Sequence, residues 1–140
     1  MLSNRSIPRA TVIPVLAYRD VNEAAAWLCD AFGFTVRLRI GSHRVQLNVG
    51  EGAVIVREMR ANEANAVLDV GHSVTVRVED ADAHCARARA HGARITEGQV
   101  THPYGERQYN AGDFAGHQWT FSQSVLDVHP QDWGGTAERL

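Results

Sequence analysis

Apolar and polar residues alternate along several short segments, a pattern typical of β-strands with one buried face. In "TVRLRI", Val36, Leu38 and Ile40 share one face, with arginines on the other. The segment "HSVTVRV", residues 72–78, alternates in the same way between valines and polar side chains. We predict further strands in "VIPVLAY" near the start and at residues 44–49, 53–58, about 94–100, 107–111 and 117–123.

Two helices are predicted at equivalent places of an internal repeat. The segments "VIPVLAYRDVNEAAAWLCDAFGF" and "HSVTVRVEDADAHCARARAHGARI" both run strand, Asp, helix, Gly, strand. Asp20 and Asp80 can accept hydrogen bonds from the free backbone N–H groups at a helix start. Gly33 and Gly92 can end a helix in the left-handed conformation. The predicted helices are about residues 21–32 and 81–91.

The order of these elements predicts the fold class. Each half reads βαβββ, with antiparallel hairpins after the crossover helix, and two such halves can share one pseudo-symmetric sheet. We therefore predict an α+β protein in which two βαβββ modules form a curved, mostly antiparallel sheet around a cleft. We expect residues 1–140 to form one domain. It contains two modules at about 10–60 and 70–126, a linker between them at 60–70, and a C-terminal tail at 127–140.

Composition restricts the class of partner. The formal net charge is −2, and all 14 basic residues are Arg. Nucleic acid is therefore not expected as a partner, because phosphate binding needs clustered positive charge. No apolar run approaches the length of a membrane span, and the start lacks the apolar core of a signal peptide. With Cys29 and Cys85 read as buried reduced thiols, we expect a cytoplasmic protein without a membrane partner.

The paired halves resemble a known family. "RDVNEAAAWLCDAFGF" after the first strand and "YGERQYNAGDFAGHQWTF" near the end resemble the vicinal oxygen chelate superfamily, the glyoxalase/bleomycin-resistance/dioxygenase group. The resemblance covers about residues 10–125. The turn "DFAG", residues 113–116, stands where the family usually has Asp-Pro-x-Gly, with Phe114 in place of Pro.

This resemblance also implies where a metal would bind. Metal-using members draw ligands from the first strand of each half and from the last strand. In this chain those positions fall on Ile13, Ser73 and Thr120, an alkyl group and two neutral hydroxyls. We therefore expect no metal and no cofactor, and the usual lyase, isomerase and ring-cleaving chemistries would lose their Lewis acid.

The histidines offer few alternatives to that set. A register error of one residue would bring His72 to the metal position, but neighbouring strand residues point to opposite faces and His72 shares its face with the valines. We predict a structural or edge position for His72 and a structural role for His117. His43 is predicted in a hairpin turn, and His84 and His91 at the surface of the second helix. His102 lies in a loop, where a role in binding stays open.

Strand alternation predicts which side chains line the cleft. Small apolar side chains of the first strand, Ile13, Val15 and Ala17, face inward, whereas Trp119 and Phe121 face the helices. Tyr104 could stack on a ligand, and Arg107 could either contact a ligand or pair with Glu106 or Asp113. The arginines 37, 39, 57 and 77 could meet an anionic ligand or be solvated edge charges. The candidate ligand-binding residues are Ser73, Thr75, Arg77, Tyr104, Arg107, Gln118, Thr120 and Ser122.

These side chains favour binding over catalysis. Neutral polar and small apolar groups suit an organic molecule held by shape and a few hydrogen bonds, and they supply no evident base or nucleophile. We predict a metal-independent small-molecule-binding protein, with drug or metabolite sequestration as a possible role. The alternatives are a lyase, isomerase or dioxygenase with non-standard metal ligands, a metal-free enzyme, and a structural or regulatory dimer with a vestigial pocket. The resemblance also implies a homodimer, and Trp133 would then cover either the domain or the partner subunit.

Overall fold

The first half of the molecule is a four-stranded sheet with one helix. A computed structural model describes residues 2–63 and 71–140. The first-half elements are β1 (Val15–Tyr18), α1 (Val21–Phe32), β2 (Thr35–Ile40), β3 (Arg44–Val49) and β4 (Gly52–Glu58). The strand order is β1-β4-β3-β2, with β1 parallel to β4 and the other pairs antiparallel.

The second half repeats this arrangement. Its elements are β5 (Val74–Arg77), α2 (Ala81–Ala90), β6 (Arg94–Thr101), β7 (Glu106–Gly112) and β8 (Gln118–Ser124). The order is β5-β8-β7-β6, again with one parallel pair, β5 with β8. A short 3-10 helix, Pro130–Trp133, lies in the tail. The prediction of an α+β fold built from two βαβββ modules is confirmed.

The two sheets stay separate from each other. Within residues 2–63 and 71–140, no hydrogen-bonded strand pair joins one sheet to the other, so a single shared sheet is not formed. Most of the predicted linker, residues 64–70, lies outside the described residues, and Ala61–Glu63 form a 3-10 turn. In the part of the chain that the structure describes, neither helix has the length and apolar character to cross a membrane.

Both helices begin as the repeat predicts. Asp20 Oδ1 accepts from the Glu23 N–H at 3.0 Å, and Asp80 Oδ1 accepts from the Ala83 N–H at 3.0 Å. Gly33 ends α1 with φ 79°, a value that favours glycine, and its N–H donates to the Cys29 carbonyl. Local capping groups therefore set three of the four helix ends in the positions expected.

The helices of the two halves pack against each other and share one core. Phe32, at the end of α1, contacts Trp119 and Phe121 of β8 with ring centroids 5.4 and 4.7 Å apart. The Trp27 Nε1–H of α1 donates to the His91 carbonyl after α2 at 2.8 Å. Each sheet therefore has one face on the helical core and a second face turned away from it.

The prediction that one face of β2 carries all three apolar side chains is wrong. Val36, Leu38 and Ile40 do not share a face, because a β-bulge pairs Val36 with Leu47 but Leu38 with Gln46. Val36 and Ile40 are exposed.

His84 is half-buried rather than at the surface. Its Nε2–H donates to the Phe32 carbonyl at 2.9 Å, and its Nδ1 accepts from the Tyr109 hydroxyl. Burial lowers the pKa of His84, which favours this neutral form.

Candidate functional site

The second-half sheet carries polar side chains on the face turned away from the helices. Strand pairing places Thr75, Thr120 and Asn110 side by side, with Glu97 next to Asn110. The Thr120 hydroxyl donates to Asn110 Oδ1 at 2.7 Å, and Asn110 Nδ2 donates to Glu97 Oε2 at 3.1 Å. This row of polar groups thus crosses all four strands, and hydrogen bonds link its members on β8, β7 and β6.

A second polar row runs beside the first and includes a carboxylate. The Ser122 hydroxyl donates to Glu106 Oε1 at 2.6 Å and accepts from Gln108 Nε2 at 3.0 Å. The hydroxyls of Ser122 and Ser124, together with the Arg77 guanidinium, lower the pKa of Glu106, so its carboxylate is charged at neutral pH. We call these two rows the polar face. The first row consists of Thr75, Thr120, Asn110 and Glu97, and the second consists of Arg77, Ser122, Gln108, Glu106 and Ser124.

Aromatic rings border the polar face at one end. The Tyr104 hydroxyl donates to Gln108 Oε1 at 3.1 Å, which ties this ring to the second row. The His102 ring stacks on Tyr104 with centroids 4.9 Å apart and planes 5° apart. Trp133 meets Tyr104 edge-on at 5.6 Å, so the tail folds back onto its own protomer. A planar ligand could extend this row of rings.

Gly105 allows the tail to lie against the aromatic border. The N–H groups of Val125 and Leu126 donate to the Gly105 carbonyl at 2.8 and 3.2 Å. Gly105 has φ 83°, and a Cβ there would lie 1.8 Å from the Leu126 carbonyl oxygen. Glycine is therefore required both for its conformation and for this close approach.

A cleft of about 770 Å³ lies at the other side of the polar face. It is lined by Val12 and Pro14 before β1, by residues 49–54 of the β3–β4 hairpin and by residues 74–79 on and after β5. Most of its wall is apolar, with Thr75 and Arg77 shared between the cleft and the polar face. An apolar wall beside a few fixed polar groups is the usual composition of a small-molecule site.

A buried carboxylate holds the two halves together behind this surface. Asp113 Oδ2 accepts from the Tyr18 hydroxyl of β1 at 2.6 Å and from the Trp119 Nε1–H at 3.1 Å. Its Oδ1 accepts from the backbone N–H groups of Ala115 and His117, both at 3.0 Å. Burial, and next the nearby Asp113 charge, raise the pKa of Tyr18 far above its ordinary value.

His117 adds a second bond between the halves. Its Nε2–H donates to the Ala17 carbonyl at 2.8 Å, and its side chain is buried. The structural role predicted for His117 is confirmed. The Asp-x-x-Gly turn therefore fixes how the first half sits against the second.

Comparisons with known proteins agree with this geometry. The family model for the Glyoxalase/Bleomycin resistance protein/Dioxygenase superfamily matches residues 10–121. The chain belongs to this superfamily. TioX from Micromonospora sp. ML1 is 35% identical, with a TM-score of 0.68 and coverage of 86% of this chain and 100% of that chain. The resemblance inferred from sequence is thus confirmed.

More distant superfamily structures share the fold. The genomically encoded fosfomycin resistance protein FosX from Listeria monocytogenes is 16% identical, with a TM-score of 0.67 and coverage of 90% of this chain and 97% of that chain. Lactoylglutathione lyase from Agrobacterium tumefaciens is 20% identical, with a TM-score of 0.62 and coverage of 91% and 98%. No curated protein sequence matched the chain.

The positions that the resemblance assigns to metal ligands do not fit a divalent cation. Ile13 and Ser73 lie just before β1 and β5, and the Thr120 hydroxyl is used as a donor to Asn110. An alkyl group and two neutral hydroxyls offer neither the charge nor the imidazole nitrogen that such ions require. Residues 2–63 and 71–140 contain no group of three His, Cys, Asp or Glu side chains placed to hold a metal ion.

Most of the predicted ligand-binding residues lie on one face. Thr75, Arg77, Thr120 and Ser122 belong to the polar face, and Tyr104 borders it. Gln118 starts β8, where its side-chain amide donates to the Gly116 carbonyl at 3.0 Å, and Ser73 is exposed just before β5.

Arg107 is separated from the other predicted residues. It pairs with neither Glu106 nor Asp113, because its side chain extends toward α2 and its Nε–H donates to Asp82 at 3.0 Å. Neighbouring strand residues point to opposite faces, which places Arg107 opposite Glu106. We therefore leave Arg107 out of the candidate site. The other arginines are also bonded within the protein: Arg39 to Asn22, Arg57 to Glu63 and Arg77 to Ser124.

Sequence reasoning missed five of the nine residues of the polar face. Glu106, Gln108 and Asn110 alternate along β7 with the buried Tyr109 and Ala111, so the period of two was present in the sequence. Glu97 could not be found this way, because two register shifts interrupt the pairing of β6 with β7.

Proposed function

We propose that the protein binds a small organic molecule on the polar face and in the adjoining cleft, without a metal ion. The observation that supports this proposal is that an aromatic ring, a row of polar groups and an apolar cleft adjoin one another in one protomer. Tyr104 supplies a ring, the rows around Ser122 supply oriented donors and acceptors, and the cleft supplies apolar wall. Such a combination holds a ligand by shape and a few hydrogen bonds.

The function proposed is sequestration rather than turnover. Thr120 donates to the Asn110 amide, a neutral acceptor that cannot take its proton. Ser122 donates to the Glu106 carboxylate, but the lowered pKa of Glu106 makes this carboxylate a weak base for activating a hydroxyl. Glu106 is fixed as a charged carboxylate by two hydroxyls and a guanidinium, which makes it a poor proton shuttle near neutral pH. A ligand held here would leave chemically unchanged.

A thermal-shift screen with planar aromatic antibiotics and small carboxylates tests the binding site. A ligand at one hundred times its Kd should stabilise the protein by about 2.7 kcal/mol. Ser122→Ala and Tyr104→Leu should each reduce the shift, whereas Ser42→Ala, in the exposed β2–β3 turn, serves as the matched control. A shift that survives both site variants would place the ligand elsewhere.

Two further measurements test sequestration and metal independence. Mass spectrometry after long incubation should recover the ligand intact, and conversion to product would instead indicate an enzyme. Elemental analysis of protein purified without chelators should find divalent metal well below one ion per chain. A stoichiometric, tightly bound ion would favour the alternative of a lyase, isomerase or dioxygenase with non-standard ligands.

We also propose that the protein acts as a homodimer. The cleft opens beside apolar side chains that the protomer leaves exposed, Val12 and Val15 among them. Burying such residues against a second copy would complete the apolar wall. Light scattering should give about twice the chain mass of 15.4 kDa, and a mass equal to that of one chain would contradict the dimer.

A further inference from the structure

The first-half sheet has an equivalent outer face, and the N-terminal segment covers it. Gln46 and Ile55 pair across β3 and β4 on the side away from the helices, yet they are only 2% and 5% exposed. Gln46 Nε2 donates to the Ser6 carbonyl at 2.7 Å, and Arg37 Nη2 donates to the Arg5 carbonyl at 3.1 Å. We call residues 5–8 the N-terminal strap.

The strap is held through two backbone carbonyls and one buried side chain. Both bonds end on main-chain carbonyls of consecutive residues, and Pro8, which follows, is buried. Arg37 Nη1 also donates to Gln46 Oε1, so the two side chains form one unit that presents donors outward. Residues 5 and 6 lie in a turn, in which the Ser6 N–H donates to Asn4 Oδ1 at 2.9 Å. The unit therefore binds the two carbonyls that this turn presents.

The internal repeat shows why this unit needs an outside acceptor. Strand pairing makes Gln46, next to Ile55, the counterpart of Asn110, next to Thr120. The Asn110 amide accepts from Thr120 and donates to Glu97, so the sheet itself satisfies it. The Ile55 side chain offers no hydrogen bond, and among the described residues the acceptor for Gln46 Nε2 is the Ser6 carbonyl of the strap. A buried donor of this kind is costly without an acceptor.

We infer that the first-half face built on Arg37 and Gln46 is a binding surface for a peptide-type chain in a turn, recognised through the carbonyls of two consecutive residues. The strap occupies this surface in cis. The two repeated faces thereby differ in function, since one is closed by the chain itself and the other stays open. This inference does not depend on the proposed small-molecule function.

Limited trypsin digestion of the full chain tests the role of Gln46 and Arg37. The strap contains Arg5, and Arg9 follows it. Both side chains are exposed, but the bound backbone is fixed, so release of the strap lets these two sites enter the protease. Gln46→Met and Arg37→Met should each speed cleavage at these sites about tenfold, the factor that corresponds to one lost hydrogen bond. Arg39→Met is the matched control, because Arg39 lies on the same strand but donates to Asn22.

A peptide-binding experiment tests recognition in trans. Pro8→Asp in the full chain should release the strap and leave the surface intact. A fluorescent peptide copying residues 2–10 should then bind about tenfold more tightly than to the unsubstituted protein, as measured by anisotropy. Adding Gln46→Met to Pro8→Asp should abolish that gain.

Two results would overturn the inference. One is equal cleavage of the Gln46→Met, Arg37→Met and Arg39→Met proteins, each showing a cooperative thermal transition. The other is equal peptide binding by Pro8→Asp with and without Gln46→Met. No small molecule enters these assays, so failure here would leave the proposed function on the polar face untouched.

Discussion

Removal of the Asp113 carboxylate should destabilise the protein more than any surface change. The carboxylate accepts from Tyr18, Trp119 and the N–H groups of Ala115 and His117, at 2.6 to 3.1 Å. Tyr18 is 0% exposed and Trp119 is 1% exposed, so water cannot replace the acceptor for either side chain. Asp113→Ala therefore strands at least two buried donors.

The size of the effect follows from those two donors. Each buried donor left without an acceptor costs about 1–3 kcal/mol, so Asp113→Ala should lower the free energy of unfolding by about 4 kcal/mol. For a chain of this length that loss corresponds to a fall in Tm of about 10 °C. Asp113→Asn should cost about half as much, because the amide oxygen still accepts.

Urea unfolding gives the measurement, and a double-mutant cycle assigns it. Tyr18→Phe with Asp113→Ala should show a coupling energy of about 1 kcal/mol, since each change removes the hydrogen bond between Tyr18 and Asp113. Asp132→Asn, at an exposed carboxylate in the tail, should be neutral. The reasoning fails if Asp113→Ala unfolds within 1 kcal/mol of the unsubstituted protein, or if the cycle shows no coupling.

Two further predictions concern the core histidine and the tail. The folded pKa of His84 is lowered, so its neutral form stabilises the protein above the unfolded pKa, and that contribution is lost as pH falls through the folded pKa. The urea concentration at the unfolding midpoint should therefore decrease as the pH is lowered below about 6.5. His84→Gln should flatten this pH dependence, whereas His43→Gln, in an exposed turn, should leave it unchanged. Gly105→Ala forces a Cβ against the Leu126 carbonyl and should lower the Tm by several degrees. Gly98→Ala, with open space around it, should change the Tm little. Equal Tm values for the two variants would contradict the close approach at Gly105.

Local sequence pattern determined where the helices begin and, in strands without a bulge, which residues share a face. Asp20 and Asp80 cap their helices because the capping bond spans only three residues of the same segment. Trp119 and Phe121 reach the core and Thr120 reaches the polar face because a strand alternates by geometry alone. These features need no knowledge of distant contacts, which is why they could be predicted.

Tertiary structure decided what covers each face and which partner each charged group meets. His84 is buried only because the end of α1 packs against α2, and Arg107 finds Asp82 only because α2 crosses that side of the sheet. The strap closes the first-half face through Arg37 and Gln46, residues some thirty to forty positions away in the chain. Alternation along a strand predicts that a face exists. It does not predict which segment packs on that face, because that segment is distant in the sequence and its contacts produce no periodic pattern.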